Sequence, residues 1–300
     1  MTTSTPQDRL AADTAMGPVT LLVGDLDLQL RYYRDVLGLT VVERPDERIE
    51  GVGRPDVVVL GRGSTALMVL RHTPDLPPTQ RSQAGLFHTA ILFDTREALA
   101  ATLASVAARA PQTYIGSADH LVSEAFYLTD PEGNGVELYW DRGRDTWQYD
   151  ADGHVVMDSL LLDPNDFIRR HGDDASLGLP GVGRPVVGHV HLQVGDVPSA
   201  RSFYVDALGF DVTAEWHGAL FVSAGGYHHH LAVNTWNSAG AGPRASSLGL
   251  GEVTLVVPGS DDIGALRERL GHHGVGVQDD GATVTFTDPW RNVVRVRAAA

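Results

Sequence analysis

Apolar residues in this chain come in strand-length runs, interrupted at regular intervals by longer amphipathic stretches. Val19 to Val23 reads as a strand, and Asp25 after it as a helix N-cap. Leu26, Leu28, Leu30, Tyr33 and Leu37 give the helix an apolar side, and Gly38 closes it. Strands follow at Leu39 to Glu43, Val57 to Leu60 and Ala66 to Leu70, a βαβββ order. The order repeats from Leu86 to Phe93, with a helix over about Thr95 to Ala108. Two more strands, around Phe126-Tyr127 and over Val136 to Trp140, flank the turn-rich Asp130-Pro131-Glu132-Gly133-Asn134-Gly135. A third unit starts at Val187 to Val194 and continues at Leu220 to Ser223 and His230 to Asn234. A fourth has strands at Glu252 to Val257, Thr283 to Thr287 and Val293 to Val296, with a helix over Asp261 to Leu270.

The third unit repeats the first. Val23-Gly24-Asp25 returns as Val194-Gly195-Asp196, and at that same offset Tyr33 meets Tyr204, Leu37 meets Leu208 and Gly38 meets Gly209. Asp130-Pro131 with Asn134 returns as Asp288-Pro289 with Asn292. Matches held at constant offsets mark an internal duplication. The expected organisation is a loose tail over 1–15, a first domain over 16–140, a connection over 141–185 with some helix near Pro164 to Arg170, and a second domain over 186–300. The fold class is α+β.

Composition narrows the chemistry. With 23 Lys and Arg against 38 Asp and Glu, the net charge is −15, which disfavours nucleic acid. Cysteine is absent, which removes disulfides, thiolate ligands and thiol nucleophiles, so a metal would sit on His, Asp or Glu. The first residues lack the basic start and apolar core of a signal peptide, and no apolar run is long enough to span a bilayer. A cytoplasmic protein without membrane partners is the expectation, with oligomeric state left open.

One residue breaks the strand pattern. Glu137 stands among Val136, Leu138 and Tyr139, sharing a face with Tyr139, and a carboxylate there is costly to bury unless something positive lies beside it. Taken singly, Glu137, His88 and His189 are ordinary sheet residues, and the run His228-His229-His230 also reads as a surface loop.

Four βαβββ units in tandem pairs resemble the vicinal-oxygen-chelate superfamily, which holds glyoxalases, bleomycin and fosfomycin resistance proteins and type I extradiol dioxygenases. Asp119-His120-Leu121-Val122-Ser123-Glu124-Ala125 and the stretch from Gly226 to Asn237 are similar to segments of two-domain catechol 2,3-dioxygenases. The resemblance implies that two units curl into an open cup whose metal ligands lie on the first and last strand of each unit. The first-strand slots hold Pro18, His88, His189 and Glu252; last-strand slots hold Glu137 in the second unit and Arg295 in the fourth. His88, His189 and Glu137 then supply the two-histidine, one-carboxylate set that suits Fe(II), with Mn(II) as the alternative ion. Because these ligands come from the second and third units, those two must share one cup, leaving the first and fourth as a metal-free cup.

By the same resemblance His229 is the acid–base histidine, with His228 beside it. Tyr127 and His120 hold the substrate oxygens, and Trp236, Asn234 and His191 face the substrate. The implied activity is ring cleavage of a catechol-type or hydroquinone-type aromatic by O2. A glyoxalase-like lyase or isomerase, or a drug-binding resistance protein, is the alternative.

Overall fold

The structure, a computed structural model, describes residues 8–43, 49–172 and 181–299. The first module comprises β1 (Ala15–Val23), α1 (Leu26–Arg31), β2 (Thr40–Val41), β3 (Val57–Arg62) and β4 (Thr65–His72). The second comprises β5 (Gly85–Leu92), α2 (Arg96–Arg109), β6 (Tyr114–Asp119), β7 (Ser123–Thr129) and β8 (Gly135–Asp141). After α3 (Pro164–His171), the third comprises β9 (Val186–Gln193), α4 (Val197–Arg201), β10 (Asp211–Trp216), β11 (Ala219–Ser223) and β12 (Leu231–Asn234). The fourth comprises β13 (Gly249–Val257), α5 (Ser260–His272), β14 (Gln278–Asp279), β15 (Thr283–Thr287) and β16 (Val293–Ala298).

These strands form two eight-stranded sheets, ordered β14-β15-β16-β13-β1-β4-β3-β2 and β10-β11-β12-β9-β5-β8-β7-β6. The first and fourth modules therefore share one sheet and the second and third the other, which is the crossed pairing expected from the distribution of the ligand candidates. Each sheet is joined at its centre by an antiparallel pair of first strands, β1 with β13 and β5 with β9. Period-two alternation splits the second sheet cleanly. Val136, Leu138, Val190 and Leu192 enter a core shared with the helices and the first sheet, while Glu137, Tyr139, His189 and His191 face the other way.

The duplicated residues tie sequential modules together. The Tyr33 hydroxyl donates to Asp130 Oδ2 at 3.1 Å, and Tyr204 to Asp288 Oδ2 at 2.8 Å. Each aspartate is buried and also accepts from the backbone and side chain of its asparagine, Asn134 or Asn292. Asp25 caps α1 by accepting from Leu28 N, and Gly38 and Gly209 adopt φ of 75° and 91°.

Several expectations change. Residues 1–7 of the loose tail lie outside the described residues, but residues 8–14 are not loose. Leu10 is buried, its N–H donates to Gly209 O, and Arg9 donates to Phe210 O and pairs with Asp211. The Leu39–Glu43 strand shortens to Thr40–Val41. Strands β6 and β10 carried no strong local signal, being edge strands with Gly, Ser, Asp and Glu among their residues. The connection after β8 does more than join. Val155 N donates to Thr213 O on β10, and Asp119 on β6 bridges Leu160. Residues 155–160 thus reach both edge strands and close the open side of the second sheet. No helix among the described residues is long and apolar enough to cross a membrane.

Candidate metal centre

Three strands place the central residues. Ala90 on β5 pairs with His189 across one edge and with Glu137 across the other. His189, Ala90 and Glu137 therefore form a row on one face, and His88 joins that face two residues earlier. The small Ala90 side chain leaves the middle of the row open. Glu137 Oε2 lies 2.9 Å from His88 Nε2 and 3.2 Å from His189 Nε2, and all three side chains are buried.

Burial alone would push the Glu137 carboxyl up; the imidazoles of His189 and His88 outweigh it and hold the carboxyl well below its ordinary range. Burial pulls His189 down to about 4 against the opposing pull of Glu137. At neutral pH these are an ionised carboxylate and an uncharged ring, the forms a metal ion binds. His88 Nε2 is enclosed and, despite its closeness to Glu137, has no hydrogen-bond partner. An orphaned imidazole nitrogen beside a buried carboxylate fits a cation between them, and two nitrogens with one oxygen match the facial set of a divalent iron site.

Around this centre lies a cavity of about 410 Å³, within the usual range for small-molecule sites. On one wall Asp141 accepts from His228 Nε2 at 3.0 Å, and the Nδ1 atoms of His228 and His229 are 2.8 Å apart. With His228 neutral and its Nε2 protonated, its Nδ1 accepts from His229 Nδ1–H. That leaves a lone pair on His229 Nε2. Burial holds His229 well below the ordinary imidazole range, keeping the ring unprotonated. The His229 ring lies 4.0 Å, centre to centre, from that of His189. Tyr227 also donates to Asp141, at 2.7 Å, and Tyr139 donates to Tyr227 at 2.7 Å. Gly188 makes room for this network, since a Cβ there would stand 1.7 Å from the Tyr139 hydroxyl.

On the opposite wall His120 Nδ1 donates to Asp158 O at 2.6 Å, so its Nε2 accepts from the Tyr127 hydroxyl at 2.7 Å. The Tyr127 oxygen keeps its acceptor capacity, and burial pushes its pKa well up, with the charge of Glu137 adding to the shift. His191 and Trp236 also line the cavity.

Of the residues singled out in the sequence, His88, His189, Glu137, His229, His228, Tyr127, His120, His191 and Trp236 meet around one cavity. The run of three histidines is buried rather than a surface loop. Asn234, expected at the substrate, stands behind the wall instead. It is fully buried and its amide donates to His191 Nε2 at 2.9 Å. Asp141 escaped the sequence reading although its spacing from Glu137 on the same strand puts it on the same face. Trp216 and Ile115 escaped because β10 and β6 were not anticipated.

A family model described as Glyoxalase/Bleomycin resistance protein/Dioxygenase superfamily matches residues 15–138 and 186–296. The chain is 36% identical over 283 residues to a Bacillus subtilis (strain 168) protein named catechol-2,3-dioxygenase, across 92% of this chain and 94% of the relative. Among solved structures, a Bacillus subtilis protein provisionally described as a dioxygenase superposes with a TM-score of 0.61 at 12% identity, covering 97% of this chain and 86% of the other. Glyoxalase I from Zea mays superposes with a TM-score of 0.55 at 15% identity, covering 96% and 93%. The two structures share the fold. The family match over both halves and the long alignment at 36% identity rest on sequence, and they agree with the paired βαβββ modules: the chain belongs to the Glyoxalase/Bleomycin resistance protein/Dioxygenase superfamily.

Proposed function

We propose that this protein is an extradiol dioxygenase that opens the ring of a catechol with O2, using Fe(II), or Mn(II), held by His88, His189 and Glu137. The observation that carries the reading is the meeting, in one cavity, of that ligand set with two hydrogen-bonded walls, His229-His228-Asp141 and Tyr127-His120. The similarity to a protein named catechol-2,3-dioxygenase supports it.

A bound redox-active divalent ion would acidify the diol and pass electron density from the ring to O2. The lone pair on His229 Nε2 takes a proton from a diol hydroxyl and later returns it during ring opening. Asp141, through His228, keeps the opposite nitrogen of His229 protonated, so the accepting atom is always the one toward the cavity. The Tyr127 oxygen, aimed by His120, accepts from the substrate. Strap residues 155–160 and the aromatic walls keep water from the reacting ring. Both oxygen atoms of O2 end in a muconic semialdehyde type of product.

The test is to load the protein with Fe(II) anaerobically, add a panel of catechols and hydroquinones, admit O2 and follow the yellow ring-opened product. Bound iron with no colour from any of them refutes the reading. Preference for Ni(II) or Zn(II), with isomerase or lyase turnover of a hemithioacetal, would move the protein to the glyoxalase branch.

A further inference from the structure

The charged and metal-type groups of the cavity gather around His88, His189 and Glu137; much of the remaining wall is aromatic and aliphatic, with the hydroxyl residues Ser123, Thr129 and Ser159 among it. On one side Phe87 and Trp236 meet edge to face, ring centres 5.5 Å apart, and both contact His191. On the other, Trp216 meets Phe221 at 5.2 Å, with Met157 from the strap packed beside them. Ile115, on the edge strand β6, lines the cavity while remaining 64% exposed. Among the described residues no lysine or arginine lines this space, and Glu137 is the only carboxylate that does.

Three of the histidines in the wall are already engaged. His120 uses both ring nitrogens on Asp158 O and Tyr127, His228 uses both on Asp141 and His229, and His191 Nε2 is taken by Asn234. A carboxylate carried on the ring of a bound substrate would leave water for apolar walls with no cation to meet it. It would also enter a chain whose net charge of −15 repels anions at long range. An alkyl or aryl group would bury its surface against Trp216, Phe221, Phe87 and Trp236.

We infer that the site selects catechols whose ring substituent is neutral and apolar, and turns away those bearing a carboxylate. The diol part of this inference rests on the ring-cleavage reading; the charge selection rests on the walls alone.

Ethylcatechol and dihydroxyphenylacetate, which differ only in a methyl group against a carboxylate, test it. Each is titrated anaerobically into the Fe(II)-loaded full-length protein by calorimetry, and turnover is then measured after O2 is admitted. The expected result is binding of ethylcatechol tighter by about 100-fold, with kcat/KM following the same direction. A preference in binding without ring opening supports the charge selection while refuting ring cleavage. Equal or tighter binding of dihydroxyphenylacetate, or binding of neither, overturns the charge selection. Ile115→Arg adds a cation at an exposed position of the wall and should tighten dihydroxyphenylacetate binding by roughly 10-fold. No gain would show that the missing cation is not what excludes the acid.

Discussion

The two sheets have the same topology and opposite chemistry. In the second-and-third-module sheet, the first- and last-strand slots hold His88, His189 and Glu137 around a cavity of about 410 Å³. In the first-and-fourth-module sheet the corresponding slots hold Pro18, Glu252 and Arg295, around a space of about 20 Å³. There Arg295 pairs with Glu252 at 2.9 Å and with Glu50 at 3.3 Å, filling with a guanidinium the place a cation would take. The registers agree, since Glu137 pairs with the residue two after His88, and Arg295 with the residue two after Glu252. The fold supplies a row of inward positions, and the side chains in that row decide whether it offers a set of metal-type ligands or an ion pair. Closure differs as well. Residues 155–160 tie both edges of the metal-type sheet, and among the described residues nothing comparable spans the other.

The largest effect that could break this comparison is on metal content. His88→Ala, His189→Ala or Glu137→Ala should reduce bound iron to background in elemental analysis, while Pro18→Ala and Arg295→Met leave it unchanged. Iron retained in a His88→Ala/Glu137→Ala protein would mean the ion sits elsewhere. Next in size is catalysis without metal loss. His229→Ala should lower kcat by about 10²–10⁴-fold at full iron occupancy. Asp141→Asn should act in the same direction but more weakly, since it disturbs only the tautomer of the His228-His229 pair.

Removing one charge from the ion-pair sheet sharpens the contrast. Arg295→Met leaves Glu252 enclosed without its partner and should cost about 2 kcal/mol in urea unfolding. That is less than for a fully buried pair, because both side chains keep about a fifth of their surface exposed. Glu252→Leu in the same protein should restore most of the loss; if it does not, the pair is not what stabilises that sheet.

Acid should also treat the sheets differently. His230, just before β12, is pulled to about 3, first by burial and then by the neighbouring His228. Its folded pKa lies below its unfolded value, so the unfolded chain binds the extra proton. Its stabilising share is complete above pH ~6.5 and falls away as pH drops toward the folded pKa. Between about pH 7.5 and 5 this amounts to about 2 kcal/mol. His230→Asn, which keeps an acceptor for Ala224 N, should lose correspondingly less stability over that range. An equal loss would place the acid sensitivity elsewhere. The smallest effect concerns the two duplicated ties. Tyr33→Phe and Tyr204→Phe should each cost about 1 kcal/mol, and a large inequality would show that the module pairs are not held alike.

Much of this was readable from residues alone, for reasons of range. Helix caps, the tyrosine and aspartate repeats and the core strands depend on local spacing, and each appears in the structure close to its expected limits. The inward face of β8 followed from alternation at Glu137, and the same alternation would have reached Asp141. The edge strands β6 and β10 did not show themselves, because their pairing comes from β7 and β11 rather than from their own residues. Asn234 was placed at the wrong layer, because strand alternation cannot tell a residue that touches a cavity from one that holds a neighbour in place.

The amino-acid order by itself determined four repeated modules and the kinds of ligand available; together with the family resemblance, the positions of the ligand candidates pointed to which modules share a sheet. Only the tertiary structure decided that the connecting segment borders the cavity, that Asp141 stands behind the His228-His229 pair, and that no lysine or arginine among the described residues lines the walls. The first group depends on periodicity and repetition within a segment. The second depends on side chains far apart in sequence meeting across strands, through registers and loop paths that no local pattern encodes.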